Sequence, residues 1–312
     1  MKVLVTGATG FFGPEIVNRL RSAGHDVLGA SRHGGQEPGS LALDVTSPDS
    51  CGRAFVAAGP VDAVGHAAVL AHVKPSRVMA MECRAVNAGG TANVVDAAVS
   101  CGVSHFVFIS SIMVYGDYDL PLRAEETTAC RPQSIYGEAK LEGERICRGR
   151  ADFQAVHVLR MATMYSPDWL FNVRKRVRPI ARGRPFYFNL DSLTPRYSLC
   201  SRSNGAEAVL WSVEQRLAPG VYNVADFYEY SQKDIRRTVE QAVGVGWQVT
   251  VPVWIPRALL HMVRLGVPFQ RWRETARSRY WKFCEYNLYS SEKLRRAGFD
   301  APPDLLALGR TG

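Results

Sequence analysis

The chain alternates short apolar, β-branched runs with longer stretches whose apolar residues recur at helical spacing. Met1 to Val5 is the first run, and after a turn with glycines at 7, 10 and 13 a helical pattern covers 14–22. His25 to Ala30 reads as a second strand, Leu41 to Val45 as a third and Val61 to Ala68 as a fourth. Ala85 to Ala98 is predicted helical. Phe106-Val107-Phe108-Ile109 is apolar throughout, the mark of a parallel strand covered on both faces, and it delivers Ser110 and Ser111 at its carboxyl end. Another helical stretch opens at Ser134. Strands alternating with helices predict an α/β fold around a doubly wound parallel sheet, with ligands outside the carboxyl ends of its strands.

The length sharpens this picture. At 312 residues the chain exceeds an average domain and barely reaches two, which favours one large body with a smaller C-terminal α/β lobe. A division into 1–170 and 171–312 is expected, with some later segments returning to the first part. No internal repeat or clean linker is evident, so crossovers should interweave the lobes. The most apolar region, Val249 to Phe269, is broken by Pro252, Pro256 and Pro268 and carries Arg257, His261 and Arg264, which argues against a membrane span. The amino end starts with a strand instead of a leader peptide, and a cytoplasmic location is expected. Seven scattered cysteines without a CxxC pair suggest reduced thiols, neither a disulfide framework nor a zinc site, and no metal is expected.

The net charge of +9 is unevenly spread. Arg174, Lys175, Arg176, Arg178, Arg182 and Arg184 form one patch, and Arg257, Arg264, Arg271, Arg273, Arg277, Arg279 and Lys282 stand against Glu274 in another. Such patches suit a small multiply charged anion, a nucleic acid or an anionic membrane, or are solvated basic faces. No zinc finger, RNA-recognition signature or aromatic-basic stripe supports a nucleic-acid partner. Arg257, His261 and Arg264 share one face of an apolar segment, Pro256 to Val267. That segment is expected to cap the cleft of the second lobe or pack on the sheet. A rival reading rests it on anionic lipid, helped by Trp272 and Trp281.

Candidate chemistry begins at the first turn. Gly7 permits its tight course, Gly10 lets main chain approach a pyrophosphate, and Gly13 lets the helix lie close to the strand. The N–H groups of the segment Gly10-Phe11-Phe12-Gly13 then face a phosphate at the helix N-terminus. Placed between a first strand and a helix, this triplet predicts dinucleotide binding. At the end of the second strand an acidic residue would take the ribose hydroxyls of NAD; Ser31 and Arg32 stand there instead. A hydroxyl and a guanidinium suit a 2′-phosphate, so NADP(H) is favoured over NAD(H), with stacking of Arg32 on adenine as the alternative. Asp44 is expected to accept from the adenine amino group, Val45 to pack on the ring, and Ala67 and Ala68 to admit the cofactor. Asn87 is either structural or close to the cofactor. His66 reads as a packed strand residue.

Tyr136 and Lys140 are four apart in a helical stretch and share a face. An ammonium beside a phenol lowers the phenol's pKa from about 10, which brings Tyr136 towards proton exchange with a substrate oxygen, and Ser111 would hold that oxygen. The motifs Thr6-Gly7-x-x-Gly10-x-x-Gly13, Asp44, His66-x-Ala68, Asn87, Ser111 four residues before Tyr115-Gly116, and Tyr136-x-x-x-Lys140 follow the order and spacing of the extended short-chain dehydrogenase/reductases. The chain most resembles their sugar-nucleotide epimerase/dehydratase branch. The likeness continues through Val158-Leu159-Arg160, Gly220-Val221-Tyr222-Asn223-Val224 and Ser290-Ser291-Glu292-Lys293-Leu294 to Pro302, and so spans nearly the whole chain. It implies a Rossmann-type NAD(P)-binding domain and a catalytic set of Ser111, Tyr136 and Lys140, with Lys140 also holding the nicotinamide ribose. It further implies a homodimer formed through the helices that carry Asn87 and Tyr136.

Departures from the pattern narrow the chemistry. The dehydratases of the branch place an Asp-Glu pair after the catalytic hydroxyl residue, where this chain has Ile112 and Met113. Elimination of water needs an acid and a base there, so dehydration is disfavoured. The cysteine of the members that also invert C3 and C5 is missing from Ser110 to Tyr115. Reduction of a keto-sugar and 4-epimerisation remain, both served by the same three side chains, and the NADP(H) preference favours reduction. Arg196 matches the family arginine that meets the substrate diphosphate. Thr163 replaces the family's asparagine, while Cys200 and Ser203 replace a histidine and an aspartate. Two rivals persist: a dehydrogenase of a non-sugar alcohol, and a cofactor-sensing regulator without turnover, which would usually lack the Tyr-Lys pair.

Overall fold

The computed structural model describes residues 1–35, 39–71, 76–174, 186–190, 195–243, 247–252, 254–256, 258, 261, 270–285 and 287–308. The apolar run at the amino end forms β1 (Lys2–Thr6), and α1 (Gly13–Ser22), β2 (Asp26–Ser31), β3 (Leu41–Ala42), α2 (Pro48–Ala58) and β4 (Ala63–His66) follow. One helical rod then comprises α3 (Arg77–Arg84), a π-helical turn (Ala85–Gly89) and α4 (Gly90–Ser100). Next come β5 (His105–Ser111), β6 (Arg123–Ala124), α5 (Ile135–Arg148), β7 (Ala155–Met161), β8 (Thr163–Tyr165), α6 (Phe171–Arg174), β9 (Phe186–Leu190), β10 (Arg196–Ser201), α7 (Arg202–Val213), β11 (Gly220–Val224), β12 (Glu229–Ser231), α8 (Gln232–Val243), β13 (Trp247–Val251) and β14 (Leu288–Tyr289).

A seven-stranded sheet in the order β11-β7-β5-β4-β1-β2-β3 is parallel throughout. Period-2 alternation divides its side chains between two cores. Val3 and Val5 join Ile16, Leu20 and Val209 on one face, while Leu4 joins Phe55, Val94 and Phe106 on the other. Strand order reverses between β1 and β4, which opens a crevice above Thr6 and His66 at their carboxyl ends. The chain recrosses between layers. β8 lies in a three-stranded sheet with β10 and β12, whereas β11, much later in sequence, extends the large sheet beyond β7.

Three elements differ from their predicted extents, and the strand predicted over 61–68 shortens to Ala63–His66. β3 stops at Ala42 because Asp44 turns the chain, its Oδ1 accepting from the Thr46 N–H at 2.9 Å and the Thr46 hydroxyl at 2.7 Å. The helix predicted over 85–98 begins earlier and widens to π geometry around Asn87. In the smaller lobe the buried Asp226 accepts from Tyr165, Tyr230, Asn204 and the Ser201 N–H at 2.7–2.9 Å. Burial pushes this carboxyl up to about 6 against those donors, and the cluster ties β8, β12 and the start of α7 together.

Candidate active site

The glycine turn is built for close approach on two sides and open on the third. Gly7 has φ +71°, and a Cβ there would lie 2.6 Å from the Ala68 nitrogen. A Cβ on Gly13 would lie 2.2 Å from the Gly7 carbonyl oxygen. At Gly10 a Cβ would meet only that oxygen, at a tight 3.2 Å, and nothing else closes this face within 4 Å. Pro14 lies in the first turn of α1, and no side chain caps the helix. By contrast α2, α3, α5 and α7 each begin with a serine whose hydroxyl accepts from the N–H three residues on. An uncapped helix end above a small-residue turn fits the pyrophosphate of a dinucleotide.

Phe12 turns its ring into the core, where a Cβ on Gly205 would meet it at 3.0 Å, so only its main chain can face a cofactor. Phe11 is exposed, with the Arg202 guanidinium 5.2 Å from its ring centroid and the Trp169 ring at 5.3 Å. Arg202 also donates to the Phe11 carbonyl at 3.3 Å and pairs with Asp168 at 2.9 Å.

At the outer edge Ser31 donates to the Gly34 carbonyl at 2.6 Å, and Arg32 is exposed. The bonds from Thr46, then the charges of Arg32 and His33, hold Asp44 below the usual carboxylate range. Asp44, expected to accept from adenine, has its Oδ1 on Thr46. Val45 is largely buried against Gly90. Ala67 and Ala68, half-buried, are fastened over the turn by N–H bonds to the Thr6 carbonyl and hydroxyl. His66 is fully buried between the Thr6 and Thr91 hydroxyls, and burial pushes it down to about 3, so it is neutral.

Asn87, expected to be either structural or close to the cofactor, is placed as a clamp. Its side-chain oxygen accepts from the Leu70 N–H at 2.7 Å and its NH₂ donates to the Leu70 carbonyl at 3.0 Å, which consumes the amide on the loop after β4. Asn87→Ala leaves the Leu70 N–H unpaired and its carbonyl with only the Cys83 thiol at 4.0 Å; an expected loss of about 1–3 kcal/mol should appear in urea unfolding.

Ser111, Tyr136 and Lys140 come together because α5 is pressed onto β5. Ser134 caps the helix, and Gly137 lets its first turn descend on the Met113 carbonyl, which a Cβ would approach to 2.5 Å. The Tyr136 hydroxyl is hydrogen-bonded to Ser111, whose oxygen also accepts from the Met113 N–H at 3.3 Å. Lys140 is buried, donates to the Ile109 carbonyl at 2.8 Å and lies 4.8 Å from the Phe108 ring centroid. The expected acidification of the phenol is not found. Burial pushes Tyr136 up to about 12 despite Ser111, and burial pushes Lys140 down to about 8. Helical spacing gave the shared face, but desolvation outweighs the Ser111 hydroxyl, the group that favours the phenolate in this site.

Behind these residues is a polar wall. Glu144, one turn after Lys140, forms a bidentate ion pair with Arg160, with bonds of 2.9 and 2.7 Å. Arg160 also donates to the Tyr115 hydroxyl at 2.9 Å, which donates to Asn223 at 2.7 Å. Arg160 is therefore a structural residue. Glu144 was legible only as the next position on the Tyr136-Lys140 face.

The candidate substrate residues are more dispersed. Thr163 on β8 lies opposite Leu199 on β10, and exposed Arg196 donates to the Glu229 carbonyl at 3.1 Å. Cys200 is buried in β10 and Ser203 is exposed on α7. The basic run beyond Arg174 and most of Pro256 to Val267 lie outside the described residues. Among the described residues no helix is long and apolar enough to cross a membrane, and no cluster of metal-ligating side chains occurs.

The profile of the NAD dependent epimerase/dehydratase family matches residues 3–225. The chain is 28% identical to a UDP-glucose 4-epimerase of Vibrio cholerae over 81% of its own length and 79% of the relative's. It is 29% identical to a dTDP-4-dehydrorhamnose reductase of Mycolicibacterium smegmatis, covering 78% and 69% of the two chains. Among solved structures, the UDP-Glc/GlcNAc 4-epimerase of Campylobacter jejuni superposes with a TM-score of 0.76 at 16% identity, covering 99% of this chain and 97% of that one. A short-chain dehydrogenase/reductase superfamily protein of Agrobacterium tumefaciens with bound NAD gives 0.73 at 22%, covering 99% and 96%. Motif order, sheet order and a profile match over more than half the sequence agree: the chain is an enzyme of the NAD dependent epimerase/dehydratase family, within the extended short-chain dehydrogenase/reductases.

Proposed function

We propose that the protein reduces a keto group on a nucleotide-activated sugar with NADPH. The observation that carries this reading is the end of β2, where Ser31, Arg32 and His33 stand in place of an acidic residue and Arg32 and His33 both act electrostatically on Asp44. A 2′-phosphate would gain there what a ribose hydroxyl would not. Reduction consumes its cofactor and needs exchange for a fresh molecule, which suits the phosphorylated form.

When bound, the nicotinamide supplies the hydride. Ser111 holds the substrate oxygen by a hydrogen bond, and Tyr136 delivers a proton to that oxygen as negative charge develops on it. Lys140 holds the nicotinamide ribose and, as an ammonium, stabilises the phenolate left on Tyr136. Arg196 contacts the diphosphate. Dehydration has no acid-base pair to use, since Ile112 is buried and Met113 is apolar.

Arg32→Ala should weaken NADPH by about 1.5–3 kcal/mol, the usual worth of a charged hydrogen bond, and leave NADH nearly unchanged. Calorimetric titration with both cofactors measures this, and equal losses would remove the case for NADP(H). A second reading, NAD-dependent 4-epimerisation, is favoured by the match to the Vibrio cholerae epimerase over most of both chains. Mass spectrometry of the purified protein separates the two: tightly retained NAD supports epimerisation, and exchangeable NADP(H) supports reduction.

A further inference from the structure

Three residues of α5, spaced by four, touch three consecutive residues of β5. Tyr136 bonds to Ser111, Lys140 donates to the Ile109 carbonyl, and Glu144 accepts from the Ser110 hydroxyl at 2.5 Å. Glu144 is 1% exposed and Arg160 is 4% exposed, so the lowest rung of this ladder is sealed from water. We propose that Glu144 is a positioning residue, whose carboxylate, locked between Arg160 and Ser110, holds α5 in register on β5 and keeps the Lys140 ammonium in place beside Tyr136. The inference rests on the reading of Lys140 as the catalytic lysine.

The charges around Lys140 favour this role. Glu144 and Cys147 face it from α5, Cys83 from α3 and His66 from β4, with Arg160 on β7 beyond Glu144. Burial raises both thiols, Cys147 to about 12, and His66 is neutral. Glu144 is the carboxylate in this group, and Lys140 and Arg160 share it. Loss of its charge would leave two buried cations facing each other, a repulsion that low-polarity surroundings amplify. Lys140 can relieve that repulsion by losing a proton, whereas a guanidinium cannot.

The test uses the full chain, titrated without cofactor and assayed for turnover with saturating NADPH. In the parental protein Lys140 is expected to lose its proton near pH 8, followed by NMR of ¹³C-labelled lysine, which needs no knowledge of the substrate. Glu144→Gln should move this midpoint down by about 1 pH unit. In turnover assays the pH profile should shift the same way, with kcat lowered and KM nearly unchanged. Glu144→Gln combined with Arg160→Gln should bring the midpoint back towards the parental value, although it removes more native contacts. Glu144→Asp should retain the parental midpoint. An unmoved midpoint in Glu144→Gln, or no return in the double variant, would reduce Glu144 to a packing residue. If Glu144→Gln does not fold, Ser110→Ala carries the test: it cuts the tie to β5 while leaving the ion pair, and an unchanged kcat overturns the proposal. Lys140→Met monitors the underlying reading. If that variant still turns over, the catalytic assignment fails, while the NMR midpoint of Lys140 in the other variants still reports on Glu144.

Discussion

Tyr136→Phe is expected to lower turnover by about 10²–10⁴-fold, the usual worth of a positioned proton donor, while cofactor affinity stays within about twofold. The ring is retained, so packing around α5 is undisturbed. Ser111 loses its phenol partner but still accepts from the Met113 N–H. The lost group is specific: with Lys140 committed to the Ile109 carbonyl and His66 buried and neutral, neither replaces the hydroxyl as a donor at Ser111. Steady-state rates with a keto-sugar nucleotide, together with fluorescence titration of NADPH, separate the two effects. A variant that reduced substrate at the parental rate would remove Tyr136 from the chemistry.

Among the described glycines, Gly13→Ala is expected to be the most damaging added methyl. The added carbon would sit 2.2 Å from the Gly7 carbonyl oxygen and 2.6 Å from the Ala8 Cα, both main-chain atoms with no rotamer to change. Overpacking of this kind costs about 1–3 kcal/mol of stability, and relief comes only by opening the turn. Opening misdirects the N–H groups meant for the pyrophosphate. Two charge-assisted hydrogen bonds lost at about 1.5 kcal/mol each amount to roughly 100-fold in affinity. Gly10→Ala provides the contrast. Its Cβ meets only the Gly7 oxygen, at 3.2 Å, so the turn must give by a few tenths of an ångström and the thermal midpoint should fall less than in Gly13→Ala, while dinucleotide affinity falls through blocked approach. Similar affinity in Gly10→Ala and the parent would place the phosphates elsewhere.

What the chain's pattern disclosed was local. The apolar run Phe106 to Ile109 became β5, and the strands and helices alternated as the parallel sheet requires. The pairing of Tyr136 with Lys140 on one helix face followed from spacing alone. Their acid strengths did not, because burial depends on neighbours from other elements, and it drives both groups towards their neutral forms. Glu144 escaped notice for a related reason: Arg160 is 16 residues away and Ser110 is 34. Asn87 offered two readings until Leu70, 17 residues earlier, was seen to take its amide. The shortened β3 was a local miss, caused by the Asx turn at Asp44.

The position of β11 governs how the molecule can be assembled. It closes the seven-stranded sheet outside β7, register Gly220 to His157 through Val224 to Met161, and it supplies Asn223 to the Tyr115 hydroxyl. A fragment ending near residue 170 would keep every proposed catalytic side chain yet expose the rim of β7 to pairing with other chains. During synthesis the nucleotide-binding half must therefore wait for a strand made some sixty residues later, a long-range closure that slows folding and leaves a sticky intermediate on the way.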